Sequence, residues 1–313
     1  MTERIIKTAV VTGPTGAVGM ALCDRLLAEG IEVYAVCHPG SPRAEALQHT
    51  AGIHCIECDL DNLIHLPTCM PGVRVDAFFH LAWSHTIGPG RNDMSAQIEN
   101  IRAAVDAVRT AAELGCSVFV GAGSQAEYGR TEEPLRPDTP CNPENGYGAA
   151  KLCAGQMTRL ECRRLGLAHV WARILSVYGP HDGPNTMITR TIRTLLAGQC
   201  PALTQGIQKW DYLYSADAAD ALYRMAWRGR SDAVYPVGSG DARPLREYIE
   251  TLRDAIDPAL PLGFGEVPYG PQQVMLLQAD ITSLEQDTGF TPTTPFDKGI
   301  QQTIDWIRNK QNE

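Results

Sequence analysis

A tyrosine and a lysine that are four residues apart could exchange a proton with a substrate. They are Tyr147 and Lys151, in the stretch Asn145-Gly-Tyr-Gly-Ala-Ala-Lys151. The residues that follow Tyr147 favour a helix, on which positions i and i+4 share one face. A neighbouring ammonium favours the phenolate, so the pair could transfer a proton at neutral pH, where a lone phenol with a pKa of about 10 could not. An exposed helical pair without a function is the alternative.

A glycine-rich turn near the N-terminus could hold a dinucleotide beside this pair. An apolar run, Ile5 to Val11, leads into the turn, and an amphipathic segment, Met20 to Ala28, follows it. In such a strand, turn and helix, small residues let the backbone approach a pyrophosphate, whose charge the helix N-terminus stabilises. An ordinary tight turn is the alternative. The residues expected to contact the cofactor here are Gly13, Thr15, Gly16, Ala17, Val18 and Gly19.

The end of the second predicted strand, Ile31 to Val36, favours NADP(H) over NAD. A chain that prefers NAD places an acidic side chain there for the ribose 2′-hydroxyl, whereas an arginine accommodates a 2′-phosphate. No acidic residue follows this strand before Glu45. We therefore expect His38, Ser41 and Arg43 to bind the 2′-phosphate. NAD remains the second choice of cofactor, and Arg43 could instead be a solvated loop residue.

Strands and helices alternate through the first half of the chain. The next predicted elements are the strand Gly52 to Cys58, the strand Val75 to Phe79, the helix Ser95 to Leu114 and the strand Ser117 to Val120. This alternation predicts an α/β fold with a doubly wound parallel sheet, which binds ligands at the carboxyl ends of its strands. Asp59 and Leu60 are therefore expected at the adenine, and Leu81 and Ala82 beside the cofactor. We interpret His80 as a structural residue.

Composition narrows the class of partner to small molecules. The chain has 313 residues, of which 44% are hydrophobic, so it can form one large or two modest domains. A net charge of -9 argues against nucleic acid or an anionic membrane as a partner. No apolar run is long enough to span a bilayer, and the N-terminus lacks the features of a secretory signal, so we expect a cytoplasmic protein.

The ten cysteines do not indicate a metal site. The only CxxC pair is Cys55 and Cys58. It lies in a predicted strand, where this separation sends the two thiols to opposite faces. No second pair and no histidine follow at zinc spacing, so we expect structural thiols and no metal.

Six motifs in order resemble the extended short-chain dehydrogenase/reductase superfamily, and more narrowly its nucleotide-sugar epimerase/dehydratase branch. They are the glycine turn, His80-Leu-Ala82, Gly121-Ala-Gly-Ser-Gln-Ala-Glu-Tyr-Gly129, the Tyr147/Lys151 pair, Arg173-Ile-Leu-Ser-Val-Tyr-Gly-Pro180 and Trp210-Asp-Tyr-Leu-Tyr-Ser-Ala-Asp217. The resemblance implies a Rossmann-type dinucleotide-binding domain in residues 1–178, with 207–237 returning to it. It also implies a smaller C-terminal α/β substrate-binding domain in 179–206 and 238–313, and a homodimer formed through the helices Ser95 to Leu114 and Gly146 to Leu165.

The resemblance further implies a catalytic triad of Ser124, Tyr147 and Lys151. Ser124 would hydrogen-bond the substrate oxygen, Tyr147 would exchange its proton, and Lys151 would hold the nicotinamide ribose while lowering the pKa of the tyrosine. The residues expected at the substrate are Trp83, Ser84, Gln125, Ser176, Asn185, Arg190, Lys209 and Trp210. The arginines that usually clamp the substrate diphosphate are missing from their family positions. Lys209, Arg190 and Arg193 are substitutes that could equally be surface charges, and Trp210 could stack on a ring or lie at a domain interface.

Departures from the family pattern favour reduction. The 4,6-dehydratases carry an Asp-Glu pair directly after the position of Ser124, where this chain has Gln125 and Ala126, neither of which can transfer a proton. Ala126 also replaces the cysteine of the epimerase/reductases that make GDP-fucose. We therefore predict an NADPH-dependent reductase of a keto group, at C4, on a nucleotide-activated deoxysugar. The alternatives are a nucleotide-sugar 4-epimerase with tightly bound NAD and a catalytically silent dinucleotide-binding protein.

Overall fold

A seven-stranded parallel sheet forms the centre of the molecule. The computed structural model describes residues 3–312, so the first two residues and the last lie outside it. Its strands are β1 (Thr8–Thr12), β2 (Glu32–Cys37), β3 (Ile53–Glu57), β4 (Ala77–His80), β5 (Val118–Ser124), β6 (Ala168–Ile174) and β10 (Ala233–Val237). They have the order β10-β6-β5-β4-β1-β2-β3 in the sheet, and all neighbouring strands are parallel. The predicted doubly wound α/β fold is confirmed.

Successive side chains of β1 point to opposite faces of the sheet, and helices cover both faces. Ala9 and Val11 pack in one core cluster with helices α1 (Ala17–Ala28) and α6 (Ser215–Arg228). Val10, which points to the opposite face, packs in a second cluster with α3 (Met94–Glu113) and α4 (Gly146–Leu165). A short helix, α2 (Glu45–Gln48), follows β2. Because each parallel strand is buried on both faces, its residues can be apolar at consecutive positions and need not alternate with polar residues.

The second half of the chain builds smaller sheets and a helical layer. Its further elements are β7 (Ser176–Tyr178), α5 (Met187–Leu196), β8 (Ala202–Leu203), β9 (Lys209–Tyr214), β11 (Ala242–Pro244), α7 (Leu245–Ile256), β12 (Gly263–Phe264), β13 (Leu276–Leu277), α8 (Thr282–Thr288) and α9 (Phe296–Asn312). Helix α9 buries Ile300, Ile304 and Ile307, as its spacing predicts. These side chains join a cluster with α5 and α7.

Residues 207–237, which we expect to return to the dinucleotide-binding domain, contribute to two sheets. Their first strand, β9, pairs with β7, β11 and β13 in a separate four-stranded sheet. The return to the main sheet begins only with α6 and β10. An aromatic strand such as β9 has the same sequence pattern in either sheet, so its partners could not be chosen from its residues.

The described part of the chain contains no helix that is both long and apolar enough to cross a membrane. Its cysteines are all free. No group of three or more potential metal ligands occurs within residues 3–312.

Candidate functional site

Two of the three glycines of the motif that follows β1 are required by packing. Gly13 has φ +69°, and a Cβ there would lie 2.8 Å from the backbone nitrogen of Ala82. A Cβ on Gly19 would lie 2.1 Å from the carbonyl oxygen of Gly13. Gly16 is different, because a Cβ there would meet no protein atom within 4 Å. The open space at Gly16, at the N-terminus of α1, fits the close approach of a pyrophosphate.

Gly16→Ala therefore separates ligand binding from folding. Gly16 has φ -86° and ψ 169°, which alanine adopts without strain, so we expect the free energy of unfolding to change by less than about 0.5 kcal/mol. Dinucleotide affinity should fall by about tenfold or more, measured by calorimetric titration with NADPH. In the control, Gly19→Ala, the clash with Gly13 should lower stability as well. A Gly16→Ala protein that binds the dinucleotide like wild type would place the pyrophosphate elsewhere.

A cavity of about 560 Å³ extends from this turn along the carboxyl ends of four strands. The predicted cofactor and substrate residues that line it are Gly13, Thr15, His38, Asp59, Leu60, Ala82, Trp83 and Ser84. Gly16, Ala17, Val18, Gly19 and Leu81 lie next to these residues in sequence but not on the cavity wall. The cavity therefore lies at the carboxyl ends of β1 and β4, which are neighbours in the sheet but not consecutive in the chain. Doubly wound sheets bind ligands at such a point, where the strand order reverses.

The cavity wall also includes a buried asparagine that we did not predict. Asn100, on α3, accepts a hydrogen bond from the Ser84 backbone nitrogen at 2.9 Å and donates one to the Ser84 carbonyl at 3.0 Å. It thereby fixes the segment after β4. The signal available in the sequence was a polar residue at a buried position of an amphipathic helix.

The residues expected to bind a 2′-phosphate are not assembled in one place. His38 lines the main cavity, with its ring nitrogen 3.7 Å from an Asp59 carboxylate oxygen. Arg43 instead lines a second cavity of about 670 Å³, together with Arg193 of α5. Ser41 lies between His38 and Arg43 and borders neither cavity. The conformation of this loop places His38 and Arg43 at different cavities, and the types of its residues do not determine that conformation.

Of the other predicted substrate residues, two are bonded to each other. The Trp210 indole nitrogen donates to the Ser176 hydroxyl at 2.7 Å, because β9 pairs with β7. Trp210 also packs against three core clusters, which fits the interface alternative. Asn185, Arg190 and Lys209 are exposed and lie outside the main cavity.

The predicted catalytic residues lie together at the carboxyl edge of the sheet. Ser124 ends β5, and its hydroxyl lies close enough to the phenol of Tyr147, in the first turn of α4, to favour the ionised phenol by hydrogen bonding. Asn145 caps this helix by accepting a hydrogen bond from the Gly148 nitrogen at 2.9 Å. Lys151, one turn further on, donates to the Ala122 carbonyl at 2.7 Å. The helical spacing predicted for Tyr147 and Lys151 is confirmed.

The charge of Lys151 does not control Tyr147 in the way we expected. The ammonium lies 3.7 Å from the centre of the Trp83 ring and 5.9 Å from the centre of the Tyr147 ring. Burial lowers the pKa of Lys151 to about 7. Burial also raises the pKa of Tyr147, and this effect is opposed by the hydrogen bond with Ser124 and by the charge of Arg91. The phenol is therefore protonated at neutral pH and can act as an acid.

A buried carboxylate that we did not assign holds the backbone at Ser124. Glu127 is fully buried and accepts a hydrogen bond from the Ser124 backbone nitrogen at 2.8 Å. It also accepts from the Trp171 indole at 3.0 Å and from the Arg173 guanidinium at 2.7 Å. Its neighbour Ala126 is buried, and Gln125 is half-buried. The only carboxylate in this turn is therefore committed to structure.

His80 has the structural role that we predicted. It is buried and shares a hydrogen bond with the Thr12 hydroxyl at 3.0 Å. Burial, followed by the charge of Lys151, lowers its pKa to about 3, so the ring is neutral. A neutral imidazole that links β4 to β1 does not transfer protons at physiological pH.

Known proteins resemble the chain along most of its length. The family described as NAD dependent epimerase/dehydratase family matches residues 9–238. The dTDP-glucose 4,6-dehydratase of Xanthomonas campestris pv. campestris is 27% identical over 198 residues, which cover 60% of this chain and 55% of the relative. The chain thus spans about half the length of that relative. The UDP-glucose 4-epimerase of Azospirillum brasilense is 26% identical over 331 residues, covering 96% of this chain and 92% of the relative.

A solved structure shares the fold. It is a UDP-glucuronic acid 4-epimerase from Bacillus cereus in complex with UDP-glucuronic acid and NAD. Its TM-score is 0.84 at 20% identity, and the match covers 97% of this chain and 99% of that one.

Proposed function

The chain belongs to the NAD dependent epimerase/dehydratase family, and within that family we propose that it reduces a keto group, at C4, of a nucleotide-activated deoxysugar. One observation carries this proposal. A protonated phenol, Tyr147, lies beside the Ser124 hydroxyl, and the two positions after Ser124 hold Gln125 and Ala126 in place of the acidic pair of the dehydratases. The site therefore has an acid for a carbonyl oxygen but no second acid or base for elimination.

The geometry suits a single proton transfer. The open Gly16 turn and the cavity beside it fit a dinucleotide, whose nicotinamide supplies a hydride to the keto carbon when bound. Tyr147 donates its phenolic proton to the keto oxygen. Ser124 holds that oxygen by a hydrogen bond, and Glu127 fixes the Ser124 backbone. Lys151, whose ammonium lies 5.9 Å from the centre of the Tyr147 ring, would hold the ribose of the bound nicotinamide.

For the cofactor we propose NADP(H). The supporting observation is that β2 ends at Cys37 and is followed by His38, neither of which can accept a hydrogen bond from the ribose 2′-hydroxyl as a carboxylate does. Arg43 would have to turn from the second cavity to reach a 2′-phosphate. NAD is the alternative, because the Bacillus cereus relative is described with NAD.

A second candidate function is supported by the relatives. A 4-epimerase would use the same Ser124, Tyr147 and Lys151 with a retained NAD, and the Azospirillum brasilense relative, which aligns with most of the chain, is a UDP-glucose 4-epimerase. The epimerase oxidises and then reduces one carbon, so it consumes no cofactor. A silent dinucleotide-binding protein is less well supported, since it has no need of the three side chains together.

Mass spectrometry of the purified protein, first native and then denatured, separates the reductase from the epimerase. The reductase should lose its dinucleotide readily, and any dinucleotide that remains should have the mass of NADP(H). Stoichiometric NAD released only on denaturation would favour the epimerase. A matched Gly19→Ala sample, in which the turn is disrupted, should carry neither NADP(H) nor NAD.

We also propose a homodimer that forms through α3 and α4. Their outer faces expose apolar side chains, 57% of Met94, 62% of Ile98, 45% of Met157 and 58% of Leu160. Such a patch is typical of an interface. Light scattering should give twice the 34.1 kDa mass of the chain, and a mass equal to that of one chain would contradict the proposal.

We infer a cytoplasmic location from the free thiols. Ten cysteines without a disulfide are typical of a reducing compartment. Fractionation of the source cells should place the protein with cytoplasmic markers, and recovery in a secreted or membrane fraction would contradict the inference.

We propose that residues 179–206 and 238–313 supply the substrate-binding part. Their elements α5, α7 and α9 form one apolar cluster, separate from the two that cover the main sheet. Two variants test this part: Arg190→Ala in α5, and Lys209→Ala in β9, the strand that pairs with β11 and β13. Both should raise the substrate KM without changing cofactor affinity if these cations bind the diphosphate. An unchanged KM would leave both as surface charges.

A further inference from the structure

An arginine that the sequence motifs do not include lies against the catalytic tyrosine. Arg91 is in a 3-10 turn, Gly88–Asn92, between β4 and α3. The carbon at the centre of its guanidinium is 4.6 Å from the centre of the Tyr147 ring. This is closer than the Lys151 ammonium, which lies 5.9 Å from the same centre. Arg91 is therefore the nearer of the two cations to the phenol ring.

The turn that carries Arg91 is attached to the catalytic helix. The Asn92 side-chain oxygen accepts a hydrogen bond from the Gly146 nitrogen at 2.9 Å. A Cβ on Gly146 would lie 2.9 Å from the Arg91 carbonyl oxygen, so the two backbones are in close contact. Arg91 is also half-buried. Its position relative to Tyr147 is thus set by backbone contacts and not by a free side chain alone.

Arg91 has no carboxylate partner within 4.0 Å among the residues that the structure describes. Other arginines nearby differ in this respect. Arg102 pairs with Glu99 at 2.8 Å, and Arg109 pairs with Glu161 at 2.8 Å. A guanidinium carries five N–H donors, and here no nearby acid neutralises its charge. Its field is consequently available to an anion at the Tyr147 oxygen.

The other charges around Tyr147 are less able to stabilise a phenolate. Lys151, on the same helix, is directed to the Ala122 carbonyl and to the Trp83 ring, and burial lowers its pKa to about 7, so it is only partly charged at neutral pH. Glu127, in the turn after β5, is negative and opposes ionisation of the phenol. The Ser124 hydroxyl is neutral. Arg91 is the fully charged cation in this group.

We propose that Arg91 is a second cation of the catalytic site, which stabilises the ionised phenol that remains after Tyr147 has given its proton to the substrate. This role is the one that we expected of Lys151 alone. The inference rests on the proposed function in that Tyr147 is the proton donor. In the transfer, the O–H bond of Tyr147 breaks, a new O–H bond forms at the substrate oxygen, and solvent later reprotonates the phenolate beside Arg91.

A spectroscopic titration of Tyr147 tests this without any substrate. The ultraviolet absorbance of tyrosinate is followed against pH in wild type and in Tyr147→Phe, and the difference isolates Tyr147 from the other tyrosines. The same pair is measured in the Arg91→Gln background. We expect the pKa of Tyr147 to rise by about one unit when Arg91 is replaced. Arg91→Lys, which keeps the charge, should raise it less.

The control is Arg102→Gln, which removes an exposed, ion-paired arginine from α3 and should leave the titration unchanged. An identical Tyr147 pKa in wild type and Arg91→Gln would overturn the proposal, as would an equal shift in Arg91→Lys and Arg91→Gln. If the shift occurs but no keto sugar is reduced, the proposed function fails and the role of Arg91 stands.

Discussion

Tyr147→Phe is expected to lower kcat for keto reduction by about 10²–10⁴-fold, the range typical of losing a general acid. The variant keeps the ring that packs against Trp83 and Arg91 but removes the phenolic hydroxyl that lies beside Ser124. Cofactor affinity should change little, because the phenol oxygen is not part of the glycine turn. The measurement is NADPH oxidation in the presence of a 4-keto sugar nucleotide, with NADPH binding measured separately.

A matched control is Tyr223→Phe. Its hydroxyl donates to the Glu29 carboxylate at the surface of α6, far from the cavity. Loss of this exposed bond should leave the rate of reduction at the wild-type value. If Tyr147→Phe also keeps the wild-type rate while cofactor still binds, the assignment of Tyr147 as the acid is wrong.

Glu127→Ala should lower the free energy of unfolding by about 3–5 kcal/mol, the usual cost of leaving one partner of a buried ion pair uncompensated. The Arg173 side chain is only 5% exposed, so water cannot replace the carboxylate. The Ser124 nitrogen and the Trp171 indole would lose their acceptor at the same time. Urea denaturation followed by circular dichroism measures the change.

The control for this variant is Glu144→Ala. Its ion pair with Arg130 is solvent-exposed, with 36% and 43% of the two side chains accessible, and should contribute less than about 1 kcal/mol. Glu127→Gln retains hydrogen-bonding oxygen but not charge, and should fall between the two. Equal stabilities for Glu127→Ala and Glu144→Ala would mean that Glu127 does not anchor the turn after β5.

The central sheet and the positions of the proposed catalytic residues were predictable because both follow from local patterns. Strand and helix periodicities place β5 and α4 in a parallel sheet, and such a sheet brings Ser124 and Tyr147 to one edge. The helical spacing then adds Lys151. Each step needs only residues that are near one another in sequence or a topology that the fold class imposes.

The features that escaped prediction depend on contacts between distant segments. Arg91 reaches Tyr147 because Asn92 bonds to Gly146, which no periodicity encodes. Glu127 is a surface-type residue that is buried only because Trp171 and Arg173 of β6 face it. Arg43 was assigned to the cofactor by its type, but the path of the loop directs it to another cavity.

The most direct test of keto reduction is a single reaction mixture. The purified protein is combined with NADPH and a nucleotide-linked 4-keto-6-deoxysugar, and both NADPH absorbance and product mass are followed. Reduction predicts that one NADPH is oxidised for each sugar converted, and that the product is heavier than the substrate by two hydrogen atoms. The contrary result is unchanged NADPH together with interconversion of 4-epimeric nucleotide sugars by protein that releases stoichiometric NAD on denaturation.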